Sequence, residues 1–160
     1  MRFQFVDRVV DVDLSRRIET STHVAGLDDV FVDHFPGYPV LPGGLVVEAF
    51  AQASQLLIAM SHDFARIGRL RRLSRVAFRH RVRPGDELAI RCERRAGGES
   101  PWTLEAVARI GARRVATAML EYTLEPAEPG TDAGRHAERL HVLARELWPV
   151  PVAAGARGDA

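Results

Sequence analysis

The chain has 160 residues, 46% of them hydrophobic, which is enough for a single domain with its own core. The 22 basic residues, all arginine, nearly balance 21 acidic residues, and the formal net charge of +1 excludes a dedicated nucleic-acid binder. A single cysteine, Cys92, excludes a disulfide framework and a cysteine-based metal cluster. Asp7 and Arg8 interrupt the apolar N-terminal residues, so we expect no signal peptide or membrane span and interpret the chain as a soluble cytoplasmic protein.

The first half of the chain predicts two strands, an irregular loop and one long helix. Residues 3–12 and 17–24 are β-type segments joined by a short polar turn. An irregular stretch then leads to a dense run of prolines and glycines, which excludes regular structure up to Gly44. Pro42 suits a helix entrance because proline lacks an N–H that the first turn does not need. We therefore predict a helix over residues 45–61, about 25 Å long at 1.5 Å per residue.

The second half predicts an antiparallel sheet. After an arginine-rich connector, strands are expected at 73–83, 87–95, 102–110 and 113–124. Leu88, Ile90 and Cys92 alternate on one face, so Cys92 is predicted to be a core residue. Because hairpin turns connect most of these strands, the sheet should be antiparallel, and the apolar helix must pack on one of its faces. The fold class predicted is α+β.

The C-terminal residues differ in composition from the rest of the chain. We predict a main domain over 1–126 and a C-terminal extension over 127–160, in which leucines at helical spacing indicate a short helix near 135–147. The last eight residues are predicted to be mobile. His136 and His141 lack further ligands nearby in the sequence, so no metal site is expected.

The predicted helix carries a polar line that its core packing does not need. Glu48, Gln52 and Gln55 stand at i, i+4 and i+7 and therefore share one side. One interpretation is that this side faces water or a subunit contact. The other is that Glu48 lines a pocket beneath the sheet, where burial raises its pKa and lets it hold a proton near pH 7.

The loop before the helix supplies groups that complement such an acid. His34 begins this loop, and a histidine is a natural proton acceptor near neutral pH. The N–H groups of Gly43 and Gly44, at the start of the helix, offer a site for a developing oxyanion. A base, an acid and an oxyanion site thus lie within fifteen residues.

The run HFPGYPVLPGGLVVEAFAQA, residues 34–53, resembles the signature of the hotdog-fold 3-hydroxyacyl-[acyl carrier protein] dehydratases of bacterial type II fatty-acid synthesis. FVDRVVDVD near the start and VAFRHRVRPGDEL at 76–88 extend the resemblance, which covers about residues 3 to 126. The resemblance implies a sheet of five to six strands wrapped around one long helix. It also implies a homodimer whose sheets pair edge to edge, which could assemble further into a trimer of dimers.

The resemblance also assigns roles to individual residues. It implies that His34 removes the C2 proton of a 3-hydroxyacyl thioester and that Glu48 protonates the departing hydroxyl. The backbone amide of Gly44, with that of Gly43, would polarise the thioester carbonyl, and Gln52 would orient the acid. The active site would lie between protomers, with His34 from one chain and Glu48 from the other. Glutamate rather than aspartate at position 48 fits the branch that only dehydrates.

The resemblance implies no metal or organic cofactor, since the substrate arrives on a phosphopantetheine arm, and it names acyl carrier protein as the partner. Nucleic acid and membrane insertion are not expected. Asp33, Gly44 and Gln55 depart from the family pattern, which indicates a reshaped acyl tunnel and a specialised substrate. The arginines crowded into residues 66–83 form either a solvated sheet face or a docking patch for an acidic carrier. The docking interpretation names Arg66, Arg69 and Arg72.

Two other functions remain open at this point. A hotdog acyl thioesterase would use the helix carboxylate to assist attack of water on the thioester and would not need His34. A non-catalytic acyl-carrier-binding subunit would bind without turnover, although the intact pair of His34 and Glu48 weighs against it.

Overall fold

The computed structural model describes residues 4–25 and 30–148, and these form one six-stranded antiparallel sheet with three helices. In chain order the elements are β1 (Arg8–Asp13), β2 (Arg17–His23), α1 (Val30–Asp33), α2 (Gly43–Ser61), β3 (Arg66–Phe78), β4 (Glu87–Arg94), β5 (Trp102–Ile110), β6 (Arg113–Pro126) and α3 (Asp132–Leu147). The strand order across the sheet is β1-β2-β4-β5-β6-β3. The predicted α+β class, with one long helix and five to six strands, is confirmed.

The core lies between α2 and the inner face of the sheet. Alternate residues of β4, β5 and β6 are buried, as expected for strands with one covered face. The helix contributes nine buried residues. The helix is long and apolar enough to cross a membrane, but half of its apolar stretch is buried inside the fold. It is therefore the core helix. Cys92 is fully buried, as its alternation with Leu88 and Ile90 predicts.

The region after α2 differs from its prediction. What reads as an arginine-rich connector is the first half of β3, which begins at Arg66, and the strand predicted over 73–83 ends at Phe78. This strand lies at one end of the sheet and pairs only with β6 among the described residues. Many side chains of an edge strand are exposed to water, so the strand can contain many arginines. These arginines interrupt the alternation of apolar residues by which a strand is recognised in a sequence.

Other boundaries move by smaller amounts. The helix α2 begins at Gly43, two residues before its predicted start, and the first two strands are shorter than the segments 3–12 and 17–24. The stretch expected to be irregular contains the short helix α1.

The C-terminal helix α3 lies where the leucine spacing predicts a helix, and it packs on α2 and the sheet. Its N-cap Thr131 accepts a hydrogen bond from the N–H of Gly134 at 3.0 Å. Ala137, Leu140 and Ala144 are buried in the same core as α2. The predicted mobile tail lies outside the described residues.

Close packing at Gly68 sets the distance between α2 and the edge strand. A Cβ at this position would lie 2.6 Å from Cδ1 of Ile58 and 2.9 Å from Cδ1 of Tyr122, and both of those side chains are fully buried. A glycine at this position therefore lets the helix approach β3 this closely.

Candidate active site

The first candidate group, His34, follows directly after α1 and begins a loop in which hydrogen bonds join His34 to Val40. Its Nδ1 lies 3.0 Å from the carbonyl oxygen of Val40, and its ring stacks on Phe35 with centroids 4.3 Å apart. The backbone N–H of Val40 in turn donates to the carbonyl oxygen of His34 at 2.9 Å. Because a carbonyl oxygen can only accept, Nδ1 carries the hydrogen, and the lone pair of the neutral ring is on Nε2. The half-buried imidazole is thus held in the tautomer that a proton acceptor needs.

The loop leads into the N-terminus of α2, where Gly43 and Gly44 are the first two helical residues. The first intrahelical bond runs from the N–H of Leu45 to the carbonyl oxygen of Pro42, and no side chain caps this end. The N–H groups of the two glycines precede the intrahelical ladder, so they are open to an external acceptor.

The two glycines differ in their surroundings. A Cβ at Gly43 would lie 2.7 Å from Cζ of Phe78, whereas a Cβ at Gly44 would meet nothing within 4 Å. The Phe78 ring therefore lies against the entrance of the helix, and 54% of that residue is exposed. It is thus an apolar group beside Gly43.

Glu48 lies one turn into α2, and Gln52 holds its carboxyl group. The Nε2 of Gln52 donates to Oε1 of Glu48 at 2.9 Å, while the Oε1 of Gln52 accepts from the backbone N–H of Phe5 at 2.8 Å. The amide of Gln52 thus links the N-terminal segment to the carboxyl group and fixes one of its two oxygens. The orienting role expected of Gln52 stays a prediction, and this contact is the one on which it depends.

The expectation that Glu48 lies in a pocket beneath the sheet is wrong for the single chain, because its side chain is exposed there. Farther along the polar line Gln52 and Gln55 are both half-buried, and Gln55 donates from Nε2 to the carbonyl oxygen of Gly68 at 2.7 Å. In the described part of the chain no hydrogen bond or ion pair joins Glu48 to His34. Any direct cooperation between them therefore requires a substrate or a second chain.

A cluster around Tyr38 was not found from the sequence. Its hydroxyl oxygen accepts hydrogen bonds from Arg81, at 2.9 Å, and from Arg83, and both guanidinium groups also lie over its ring. The bond from Arg81 is the main cause of a lowered pKa for this phenol. The sequence predicts that the arginines at 81 and 83 lie on a strand over 73–83, whereas the strand ends at Phe78 and leaves both arginines in the following segment.

The three arginines predicted to dock a carrier lie along β3 and are exposed, but they are not equivalent. Arg69 forms a two-point ion pair with Glu125 on the neighbouring strand. Arg66 and Arg72 have no such partner among the described residues. The same part of the chain contains no group of three or more side chains that could hold a metal ion.

Comparison with solved structures identifies the class of fold. A chain of a dehydratase heterocomplex from Xenorhabdus doucetiae superposes with a TM-score of 0.63 at 18% identity, covering 77% of this chain and 84% of that one. A thioesterase from Haemophilus influenzae superposes with a TM-score of 0.59 at 15% identity, covering 76% and 80% of the two chains. The fold is therefore the hotdog fold, which dehydratases and thioesterases share.

Comparison of sequences narrows this class. The family model described as a FabA-like domain matches residues 1–119. The 3-hydroxyacyl-[acyl-carrier-protein] dehydratase FabZ of Pediococcus pentosaceus is 34% identical over 119 residues, which are 74% of this chain and 80% of that protein. The chain belongs to the FabA-like family, as the motif at 34–53 indicates.

Proposed function

We propose that this protein is a dehydratase that eliminates water from 3-hydroxyacyl thioesters on an acyl carrier protein and releases trans-2-enoyl thioesters. Membership of the FabA-like family and the similarity to FabZ dehydratases support this assignment. The observation that carries it is the hydrogen bond from Nδ1 of His34 to the carbonyl oxygen of Val40, because it leaves Nε2 as a free base. A thioesterase that works through the helix carboxylate would not need this base.

The reaction would use one group for each hydrogen of the eliminated water. Nε2 of His34 takes the C2 proton, and the charge that develops on the thioester oxygen is stabilised by the N–H groups of Gly44 and Gly43 at the start of α2. Glu48 in its protonated form delivers a proton to the C3 hydroxyl as the C–O bond breaks. Gln52 keeps this carboxyl group oriented through Oε1. No metal or organic cofactor is required for these steps.

We further propose a homodimer in which His34 of one chain works with Glu48 of the other. Two features support the dimer: β3 pairs on one side only among the described residues, and four of its apolar side chains are 38–54% exposed. These side chains are Leu70, Leu73, Val76 and Phe78. The unpaired backbone groups of an edge strand are a template for pairing with another strand. A second chain would also cover Glu48, which is exposed in one chain alone.

The proposed partner that delivers the substrate is an acyl carrier protein in the cytoplasm, docking on the patch of Arg66, Arg69 and Arg72. Neutralising all three is expected to lower carrier affinity, most strongly at low salt, as measured by titration calorimetry. Unchanged affinity would reject this patch.

The test of the proposed function uses the variants His34→Ala and Glu48→Gln. Each should lose dehydration while its circular dichroism stays that of the unmodified protein. Mixing them should restore activity, since a mixed dimer has one complete site, and random exchange gives roughly a quarter of the original rate.

Subunit exchange is verified with two affinity tags, and thiol release is recorded beside formation of the enoyl thioester. No recovery after verified exchange would contradict the shared site. Thiol release that persists in His34→Ala would favour a thioesterase.

A further inference from the structure

A strongly basic cleft of about 530 Å³ lies beside the loop that carries His34. Its charged and titratable lining groups come from the segment after β3, from the turn before β4 and from the start of β6: Arg79, His80, Arg81, Arg83, Asp86 and Arg113. Four guanidinium groups thus face one carboxylate. Neither the proposed reaction nor the patch on β3 uses this cleft.

The positive charge of the cleft is not neutralised by the protein. None of its four arginines forms an ion pair with a carboxylate in the described part of the chain, whereas Arg69 and Arg91 pair with Glu125 and Glu93. The one acidic residue of the cleft, Asp86, already accepts the backbone N–H of Arg83 at 2.7 Å. A planar guanidinium group can donate two parallel hydrogen bonds to the oxygens of one phosphate. A cleft lined by several guanidinium groups is therefore suited to bind a phosphate ester.

The cleft is joined to the loop of the candidate base by direct bonds. Tyr38, four residues after His34, accepts hydrogen bonds from Arg81 and Arg83 through its hydroxyl oxygen. The backbone N–H of Leu41 donates to the carbonyl oxygen of Val82 at 2.8 Å, between these two arginines. An anion bound in the cleft is thereby held at a fixed position relative to the loop.

We propose that this cleft binds the phosphate group of the 4′-phosphopantetheine arm that carries the acyl thioester. The inference rests on the proposed function, which requires a substrate on such an arm. The same phosphate belongs to the arm of a carrier protein and to coenzyme A, and the four guanidinium groups gathered around this one cleft suit a single phosphate rather than an extended acidic surface. The net charge of +1 for the whole chain agrees with a local anion site rather than a polyanion-binding surface.

The test combines substrates with and without the phosphate and variants inside and outside the cleft. The same 3-hydroxyacyl group is presented on pantetheine, on 4′-phosphopantetheine, on coenzyme A and on the carrier protein. The cleft variant is Arg79→Gln with Arg113→Gln. The matched control is Arg109→Gln with Arg114→Gln, which removes two exposed arginines from paired positions on β5 and β6 outside the cleft.

In the cleft variant KM should rise about tenfold or more for the three phosphate-bearing substrates, because two charge-assisted contacts are lost. The kcat values and the KM for the pantetheine thioester should stay unchanged, and so should every constant of the control variant. Tyr38→Phe removes the phenol oxygen but keeps all four charges, so the difference in KM between phosphorylated and unphosphorylated arms should persist in it.

Equal effects on the pantetheine and phosphopantetheine thioesters, or no effect on either, would overturn the proposal. A loss confined to the carrier-protein substrate would also overturn it, because the contacts would then be made with the carrier surface. If no substrate is dehydrated by the unmodified protein, the proposed function fails, and calorimetric binding of 4′-phosphopantetheine against pantetheine decides on the cleft. Phosphate-dependent binding that weakens in the cleft variant supports the site, and binding that does not depend on phosphate rejects it.

Discussion

The role of Gln52 can be tested by replacing it with alanine. This change removes the bond from Nε2 to Oε1 of Glu48, at 2.9 Å, and the bond from the N–H of Phe5 to Oε1 of Gln52, at 2.8 Å. A hydrogen bond to a charged group contributes about 1.5–3 kcal/mol. If that contribution is realised in the transition state, kcat should fall roughly 10- to 150-fold. Loss of the neutral bond to Phe5 should lower the free energy of unfolding by about 0.5–1.5 kcal/mol.

The chain offers a matched control three residues farther along the same side of α2. Gln55 is also half-buried and also donates from Nε2 to an oxygen, but this oxygen is the carbonyl of Gly68 and not the carboxyl of Glu48. Gln55→Ala should therefore lose stability by a similar amount and keep its kcat. Steady-state kinetics and urea unfolding of both variants measure the two effects separately. If Gln52→Ala keeps its kcat, or if both variants lose kcat equally, the orienting role of Gln52 is wrong.

Two further predictions concern the core. Gly68→Ala places a methyl group 2.6 Å from Ile58 and 2.9 Å from Tyr122, so urea unfolding should show a free energy of unfolding about 1–3 kcal/mol lower. The control is Gly98→Ala, whose methyl group meets nothing within 4 Å, and its free energy of unfolding should change by no more than about 0.5 kcal/mol. Equal stability of the two variants would mean that the helix is not held against β3 at this point. Burial raises the pKa of the Cys92 thiol to about 12. The folded protein therefore keeps a proton that the unfolded chain releases near pH 8.5. The free energy of unfolding should decrease as the pH rises between about 8.5 and about 12. The decline should be steeper in the unmodified protein than in Cys92→Ala, and equal slopes of unfolding free energy against pH would contradict this account.

The parts of the fold that were predictable are those in which one residue pattern decides the structure. The strands from β4 to β6 alternate cleanly between buried and exposed residues, so their boundaries follow from the sequence to within two residues. The edge strand β3 was partly misread because solvent on its open side lets Arg69, Arg71 and Arg72 stand where a central strand would need apolar residues.

The candidate site was predictable to the extent that its members are close in sequence. His34, the two glycines and Glu48 lie within fifteen residues, and a helical period places Gln52 beside Glu48. The bond from Phe5 to Gln52 joins residues 47 positions apart, and that from Arg81 to Tyr38 spans 43. No local pattern encodes such contacts, because they arise only when the sheet closes around the helix.

The C-terminal helix α3 belongs to the same folded unit as the helix that carries Glu48. The family match ends at residue 119, yet Leu140, Ala144 and Leu147 are buried in the same hydrophobic core as α2. A version that ends after β6 and lacks α3 would expose apolar surface of the helix that carries Glu48. The C-terminal helix is thus part of the core that supports the helix carrying Glu48.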